Sequence, residues 1–227
     1  MLNKISSFSL DRVASELHYI SSRAARDGRL FFGDANFGLL DQDLEVARII
    51  RDIHQRTGWP RDVYLYMAKN AGERVIEIAR LLRGLTKVSL ARQSMSPDVL
   101  ASTKRANLDD QTFAKVQEEL GLANVESMVE LIYPLPGETK QSFLGGIDNL
   151  FKQVDPRRTE VRMYPTELLP GSELASTESR EKYGLVTGWR KLSGHELSLS
   201  GTSIAEYQEI VLATNTFSSA DQHDSRA

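Results

Sequence analysis

The sequence predicts an α/β fold built on a parallel sheet. Short apolar runs bounded by polar or glycine-containing loops recur about every 25 to 40 residues, and stripes of helical period lie between them. The first stretch, "RLFFG", holds a short apolar run, Leu30 to Phe32, stopped by Gly33, as expected of a strand covered on both faces. This alternation is the signature of repeated strand-helix-strand units. It fits an open doubly wound sheet and a closed or partial barrel equally. Both gather ligands at the carboxyl ends of the strands.

Each element has its own local reason. Ser9 can cap a first helix with Leu10, Val13, Leu17 and Ile20 on one face, which ends before Gly28. "RLFFGDANFG" is strand and loop, stopped at Gly33. Asp41 or Asp43 then opens a helix with Val46, Ile49, Ile50 and Ile53 inward. "DVYLYMAKN" reads as strand and loop, "ERVIEIARLL" as a helix burying Val75, Ile78, Ala79 and Leu82, and "KVSLARQS" as the next strand. "SPDVLASTKR" and "DDQTFAKVQEEL" are helical, and "VESMVELIYPLPGET" runs a strand into a turn. "KQSFLGGIDNLFKQV" is a helix with Phe143, Ile147, Leu150 and Val154 on one side, and "RTEVRMYP" is the last strand of the pattern. Beyond Pro170-Gly171 the pattern weakens, and the stretch to Gly201 reads as irregular. Ser203 with Glu206 makes a capping box that predicts a final helix over "SIAEYQEIVLATNTF". The polar end, "SSADQHDSRA", reads as disordered.

Composition removes several classes of function. A chain of 227 residues suits one domain, and 28 basic against 31 acidic residues leave a net charge of -3. No broad positive field draws nucleic acid or an anionic membrane, so no nucleic-acid partner is expected. No apolar run nears the roughly 20 residues that cross a bilayer, and Met1 to Leu10 lacks a secretory core, so the expectation is a cytoplasmic protein without a membrane span. The sequence has no cysteine, which excludes disulfides, thiolate catalysis and cysteine-ligated iron–sulfur or zinc sites from this chain. His18, His54, His195 and His223 lie far apart and lack the spacing of metal ligands.

The residues just past each predicted strand are polar as a group. They are Gly33, Asp34, Asn36 and Phe37; Lys69 and Asn70; Arg92, Gln93 and Ser94; Tyr133 to Thr139; and Tyr164 with Pro165. Such a rim suits a zwitterion, a ribose and a planar base. Taken singly, Asp34, Asn36 and Thr139 are explained as well by turn closure and helix capping. In the Leu-Pro-Gly-Glu-Thr turn, Pro136 fixes the chain direction, Gly137 permits close approach, and Thr139 caps a helix start that can face an anion. No phosphate loop or Gly-x-Gly-x-x-Gly motif occurs. Asp41 with Asp43 and Asp109 with Asp110 precede helices and read as caps, no nucleophile elbow exists, and no catalytic residue is assigned. Arg80 to Lys87 reads as the solvated end of a helix.

In order along the chain, "DANFG", "RQSMSPDVLASTKRAN", "VELIYPLPGETKQSF" and "EVRMYPTELLPGSELA" resemble the radical S-adenosylmethionine (SAM) superfamily, specifically its members that carry an N-terminal cobalamin-binding domain. The resemblance covers about Ser9 to Ala175. It implies a partial (β/α)6 TIM-like barrel over residues 1–175 with its first strand missing, then an extension over 176–217 and a tail over 218–227. It also implies SAM as cofactor, lying across the strand ends, with a [4Fe-4S] cluster and cobalamin in the parent family. Gly33, Asp34, Asn36 and Phe37 would approach the methionine end of SAM, and Lys69 belongs to the same rim. Gln93, Ser94 and Arg105 would come next, on the following strand and helix. Tyr133, Leu135, Pro136 and Gly137 would lie along the adenine, with Tyr164 closing its other side.

The chain departs from the family in one respect. The three cluster-binding cysteines, spaced Cys-x3-Cys-x2-Cys, are absent, and "NKISSFSLDRVASELHYI" resembles the family's segment on the C-terminal side of the cysteine loop. The expectation is a truncated enzyme barrel, inactive alone, whose partner is the missing N-terminal part or a second copy paired through the apolar edge of "RLFFG". The alternatives are a cluster-free protein that binds SAM or a partner, and an α/β-barrel enzyme acting on a phosphorylated metabolite.

Overall fold

The computed structural model describes residues 6–34, 36–68, 72–105, 107–199 and 202–225. Along the chain they form α1 (Leu10–Ser21), β1 (Leu30–Phe31), α2 (Gln42–Thr57), β2 (Val63–Tyr64), α3 (Glu73–Leu81), β3 (Val88–Gln93), α4 (Pro97–Ser102), α5 (Asp110–Leu122), β4 (Ser127–Tyr133), α6 (Lys140–Gln153), β5 (Thr159–Pro165), α7 (Thr177–Tyr183), β6 (Val186–Leu199), β7 (Thr202–Ala213) and α8 (Ser219–Asp224). Among the described residues the strands form three sheets, β1-β2, β3-β4-β5 and β6-β7, with no closed barrel. Two compact units result. One comprises Met1–Ala91, Leu108–Val129 and Val154–Glu160; the other comprises Arg92–Asn107, Glu130–Gln153 and Val161–Ala227.

In the first unit the helices arise from caps and stripes. Ser9 accepts from Arg12 N to start α1, and Asp109 accepts from Thr112 N (2.9 Å) to start α5. Gly58, at φ 75, ends α2 in the left-handed conformation that costs a glycine nothing. The inner stripe of α2 buries Val46, Ile50 and Ile53, and that of α3 buries Val75, Ile78, Ala79 and Leu82. The parallel pair β1-β2 sets Leu30 beside Val63 and Phe31 beside Tyr64. Leu30 and Val63 are buried, whereas Phe31 is 62% exposed and stacks on Tyr64 with centroids 6.0 Å apart.

In the second unit three sequence expectations fail together. The segment expected to form a final helix is mostly strand β7, the stretch expected to be irregular contains α7 and strand β6, and the tail expected to be disordered contains α8. β6 and β7 pair antiparallel with Thr187 opposite Val211, Trp189 opposite Glu209 and Lys191 opposite Tyr207. Ile204, Tyr207, Ile210 and Val211 are β-branched or aromatic residues that fit a pleated surface, and this preference outweighs the local helix-start pattern once a partner strand is present. Ile210 and Val211 are buried. A capping box does exist, but later: Ser218 and Asp221 satisfy each other's backbone N–H groups at the start of α8. Near its core, Tyr133 stacks on Phe143 (4.6 Å) and Phe143 meets Phe217 edge-on (6.2 Å).

Candidate functional site

The polar centre of the second unit is Glu138, in the turn between β4 and α6. It is only 1% exposed. A buried carboxylate needs partners, and both oxygens have one: Ser94 Oγ donates to Oε2 at 2.7 Å and Ser142 Oγ donates to Oε1 at 2.5 Å. Ser94 lies just past β3, so this one side chain ties the loop after β3 to the turn after β4. Other bonds reinforce the tie. Asn107 Nδ2 donates to Ser94 O (2.7 Å), Ser102 Oγ donates to Pro136 O (3.1 Å), and Thr166 Oγ1 donates to Pro134 O (2.7 Å). At the head of α6, Thr139 Oγ1 accepts from Ser142 N and Ser142 Oγ accepts from Thr139 N, both at 3.0 Å.

Two residues on this rim hold unusual backbone. Gln93 has φ 56, a conformation that side chains rarely adopt, and its Oε1 accepts from Arg105 Nη1 at 2.8 Å. Gly137 has φ 84, which its lack of a Cβ allows. Lys104 pairs with Glu173 at 2.7 Å, and the Glu173 carboxylate raises the lysine above its ordinary value while the lysine lowers the carboxyl. Gly146 on α6 faces the same loop, since a Cβ added there would lie 2.7 Å from Met95 Cβ. Gly146→Ala is therefore expected to destabilise by about 1 kcal/mol: overpacking costs about 1–3 kcal/mol and exceeds the ~1 kcal/mol gained by removing a helical glycine. Urea unfolding measures this, and an unchanged midpoint would show that the Met95 loop yields freely.

In the first unit the loop after β1 is clamped from both sides. Asp43, 5% exposed, accepts from Gly38 N (2.8 Å) and Leu40 N (2.9 Å). Arg74 donates to Gly38 O (3.2 Å) and Leu39 O (2.9 Å) and pairs with Asp41. Both aspartates thus serve structure, but not as the expected caps: Asp41, at the N-cap of α2, makes no side-chain capping bond and pairs with Arg74, and Asp43, inside the first turn, holds the preceding loop. Asn36 N donates to Asp34 Oδ1 (2.8 Å), closing a turn, and Phe37 is buried against Phe32. Gly33 borders open space.

No family model matches the chain. It is 33% identical over 217 residues to the 2-(S-pantetheinyl)-carbapenam-3-carboxylate methyltransferase of Streptantibioticus cattleyicolor, covering 93% of this chain and 31% of that protein. It is 32% identical over 222 residues to the cobalamin-dependent radical SAM methyltransferase TokK of Streptomyces tokunonensis, covering 94% of this chain and 31% of that one. The chain belongs to the radical SAM superfamily, in its cobalamin-associated branch. It spans under a third of the length of these relatives. Among solved structures it is similar to the radical SAM methyltransferase TsrM of Kitasatospora setae, at TM-score 0.56 and 16% identity over 82% of this chain and 36% of that one. It is also similar to the archaeal Elp3 of Methanocaldococcus infernus, at TM-score 0.53 and 14% identity over 76% of this chain and 45% of that one. These likenesses concern the fold alone, an α/β fold with a parallel sheet.

Within this radical SAM chain the expected site residues separate by unit. Gly33, Asp34, Asn36 and Phe37 belong to the first unit; Gln93, Ser94, Arg105, Tyr133, Leu135, Pro136, Gly137 and Tyr164 belong to the second. Lys69 lies outside the described residues. In the second unit the bonds above bring Gln93 to Arg105 and join the Ser94 loop to the Leu135–Gly137 turn. Tyr133 commits its ring to the core, and Tyr164 is partly exposed. Glu138 falls within the Tyr133 to Thr139 stretch of the polar rim without being singled out there, and Asn107 carries no signal of its own in the sequence.

Proposed function

We propose that this chain supplies the SAM-facing part of a cobalamin-dependent radical SAM methyltransferase, as a partial (β/α)6 barrel. The observation that carries this reading is identity of 32–33% across more than nine-tenths of the chain with two proteins named as methyltransferases. The donor set of the second unit suits the ligand. Arg105 uses one N–H on Gln93 and keeps further donors for the methionine carboxylate. Gly137 leaves exposed backbone for the edge of a planar base, and the Glu138 bonds hold that turn in place before any ligand arrives.

The residues of this chain do not fit a [4Fe-4S] cluster. Its 227 residues include no cysteine, and the described residues hold no group of three or more His, Cys, Asp or Glu placed to bind a metal ion. The cluster ligands of a working enzyme therefore come from polypeptide other than these 227 residues, and this chain alone binds and orients SAM without cleaving it. Nor is any helix of the described residues long and apolar enough to cross a membrane.

Calorimetric titration tests the proposal directly. SAM is expected to bind with Kd between about 10 and 300 μM, and Arg105→Ala to weaken it about tenfold, the ~1.4 kcal/mol of one charge-assisted contact. No heat from SAM at about 3 mM, with the chain folded by circular dichroism, would overturn it.

A further inference from the structure

The first unit carries a pocket that the SAM reading does not use. Its volume is about 460 Å3, within the roughly 300–1,000 Å3 of small-molecule sites. Arg51, His54 and Gln55 line one side from the second half of α2, and Arg80, Arg83 and Gly84 close the other from the end of α3 and the turn before β3. Among the described residues no aspartate or glutamate lines it. Among the described residues Arg51, Arg80 and Arg83 have no ion-pair partner; Arg12, Arg29, Arg48, Arg61 and Arg74 of the same unit each hold a carboxylate, and Arg23, Arg26, Arg56 and Arg157, which hold none, do not line the pocket. In a chain of net charge -3, three unpaired guanidinium groups around one hollow are not explained by a general excess of base.

Compensation of helix dipoles covers part of this arrangement. Arg80 lies in the last turn of α3, where a cation is favoured. Arg51 sits well before the end of α2, whose last turn already holds His54 and Arg56, and Arg83 lies beyond α3 altogether. His54 commits Nδ1 to the Pro60 carbonyl at 2.9 Å, which orients the ring and leaves Nε2 as the nitrogen open to a ligand. Guanidinium groups bond phosphoryl oxygens in pairs, and three of them exceed what a single carboxylate requires.

We propose that this pocket binds a small molecule carrying a phosphoryl or diphosphoryl group. The site opens where α2 and α3 end and β3 begins. Gly33, Asp34, Asn36 and Phe37 follow β1, and none of them lines the pocket. The concave shape and the limited number of cations favour a small anion over a polymer, which would need an extended basic track.

Inorganic pyrophosphate titrated into the whole chain at low salt tests this, with inorganic phosphate, a nucleoside diphosphate, polyglutamate and short duplex DNA as parallel probes. Pyrophosphate and the nucleoside diphosphate are expected to bind one per chain with Kd of about 10–500 μM, inorganic phosphate more weakly. The double variant Arg80→Ser/Arg83→Ser should weaken pyrophosphate at least about tenfold while leaving SAM affinity unchanged and lowering the melting temperature by no more than about 4 °C, the small loss of the Arg80 charge from the end of α3. Arg51→Ser, exposed on α2, gives the same readout if the double variant is poorly folded. No pyrophosphate heat up to about 5 mM, equal affinity in all variants, or arginine-dependent binding of polyglutamate or DNA without pyrophosphate would each overturn the proposal. The SAM titration is separate, so either proposal can fail alone.

Discussion

Glu138→Ala is expected to lower the unfolding free energy by about 2–4 kcal/mol, because it removes a buried side chain and leaves hydroxyl donors without acceptors. Ser94 is 3% exposed, so its hydroxyl cannot turn to water when the carboxylate is gone. Glu138→Gln separates packing from hydrogen bonding. The amide keeps the volume and one acceptor but sets a donor against the second serine, which then has to reverse its bond. About half of the alanine loss is expected for it. Equilibrium urea unfolding reports both values, and a loss under about 1 kcal/mol for Glu138→Ala would show that the carboxylate does not tie the loops. SAM affinity gives a second readout. Loosening the turn should cost the alanine variant about tenfold in Kd and the glutamine variant no more than about threefold, since pre-ordered backbone is what the ligand uses.

The reach of the sequence depends on the range of the interactions. In α3, Val75, Ile78, Ala79 and Leu82 are buried as their spacing predicts, because a helix face is set by residues three and four apart. In α2 the same reasoning gives Val46, Ile50 and Ile53, while Ile49 at the edge of the stripe is only half-buried. Local caps at Ser9, Asp109 and Thr139 are equally legible. The C-terminal segment is not, since Ser203 and Glu206 promise a helix locally and the competing signal, a partner strand, begins at Val186 in a stretch rich in Ser and Gly. The heart of the candidate site escapes for a related reason. Ser94 and Glu138 are 44 residues apart, and no period in the chain relates a hydroxyl after one strand to a carboxylate after the next. The arginine pocket has the same character: Arg80 and Arg83 read as a solvated helix end until Arg51 and His54 of α2 are placed opposite them.

Acid should loosen the β6-β7 hairpin before it unfolds the rest, and the cause is a single carboxylate. The Arg180 guanidinium grips Glu209 with two bonds of 2.7 Å, and Thr187 Oγ1 adds a third at 2.7 Å, which together hold the Glu209 carboxyl down from 4.5 to about 2. The pair itself joins α7 to β7; the same guanidinium also donates from Nε to Ala175 O (3.0 Å), and Leu168 N donates to the Glu209 backbone carbonyl (2.9 Å). A carboxyl whose pKa is lower in the folded state contributes stability that is complete above its unfolded value, near 4.5, and is lost as pH falls toward 2. Between pH 5 and 3 the native chain is therefore expected to lose about 3–6 °C more in melting temperature than Glu209→Gln, which has nothing left to protonate and starts lower at neutral pH. Arg180→Lys should fall between them, since an ammonium keeps the charge but cannot reproduce the paired geometry. Melts monitored by circular dichroism at both pH values decide the matter: equal slopes for the native chain and Glu209→Gln would mean that some other carboxylate governs the acid response.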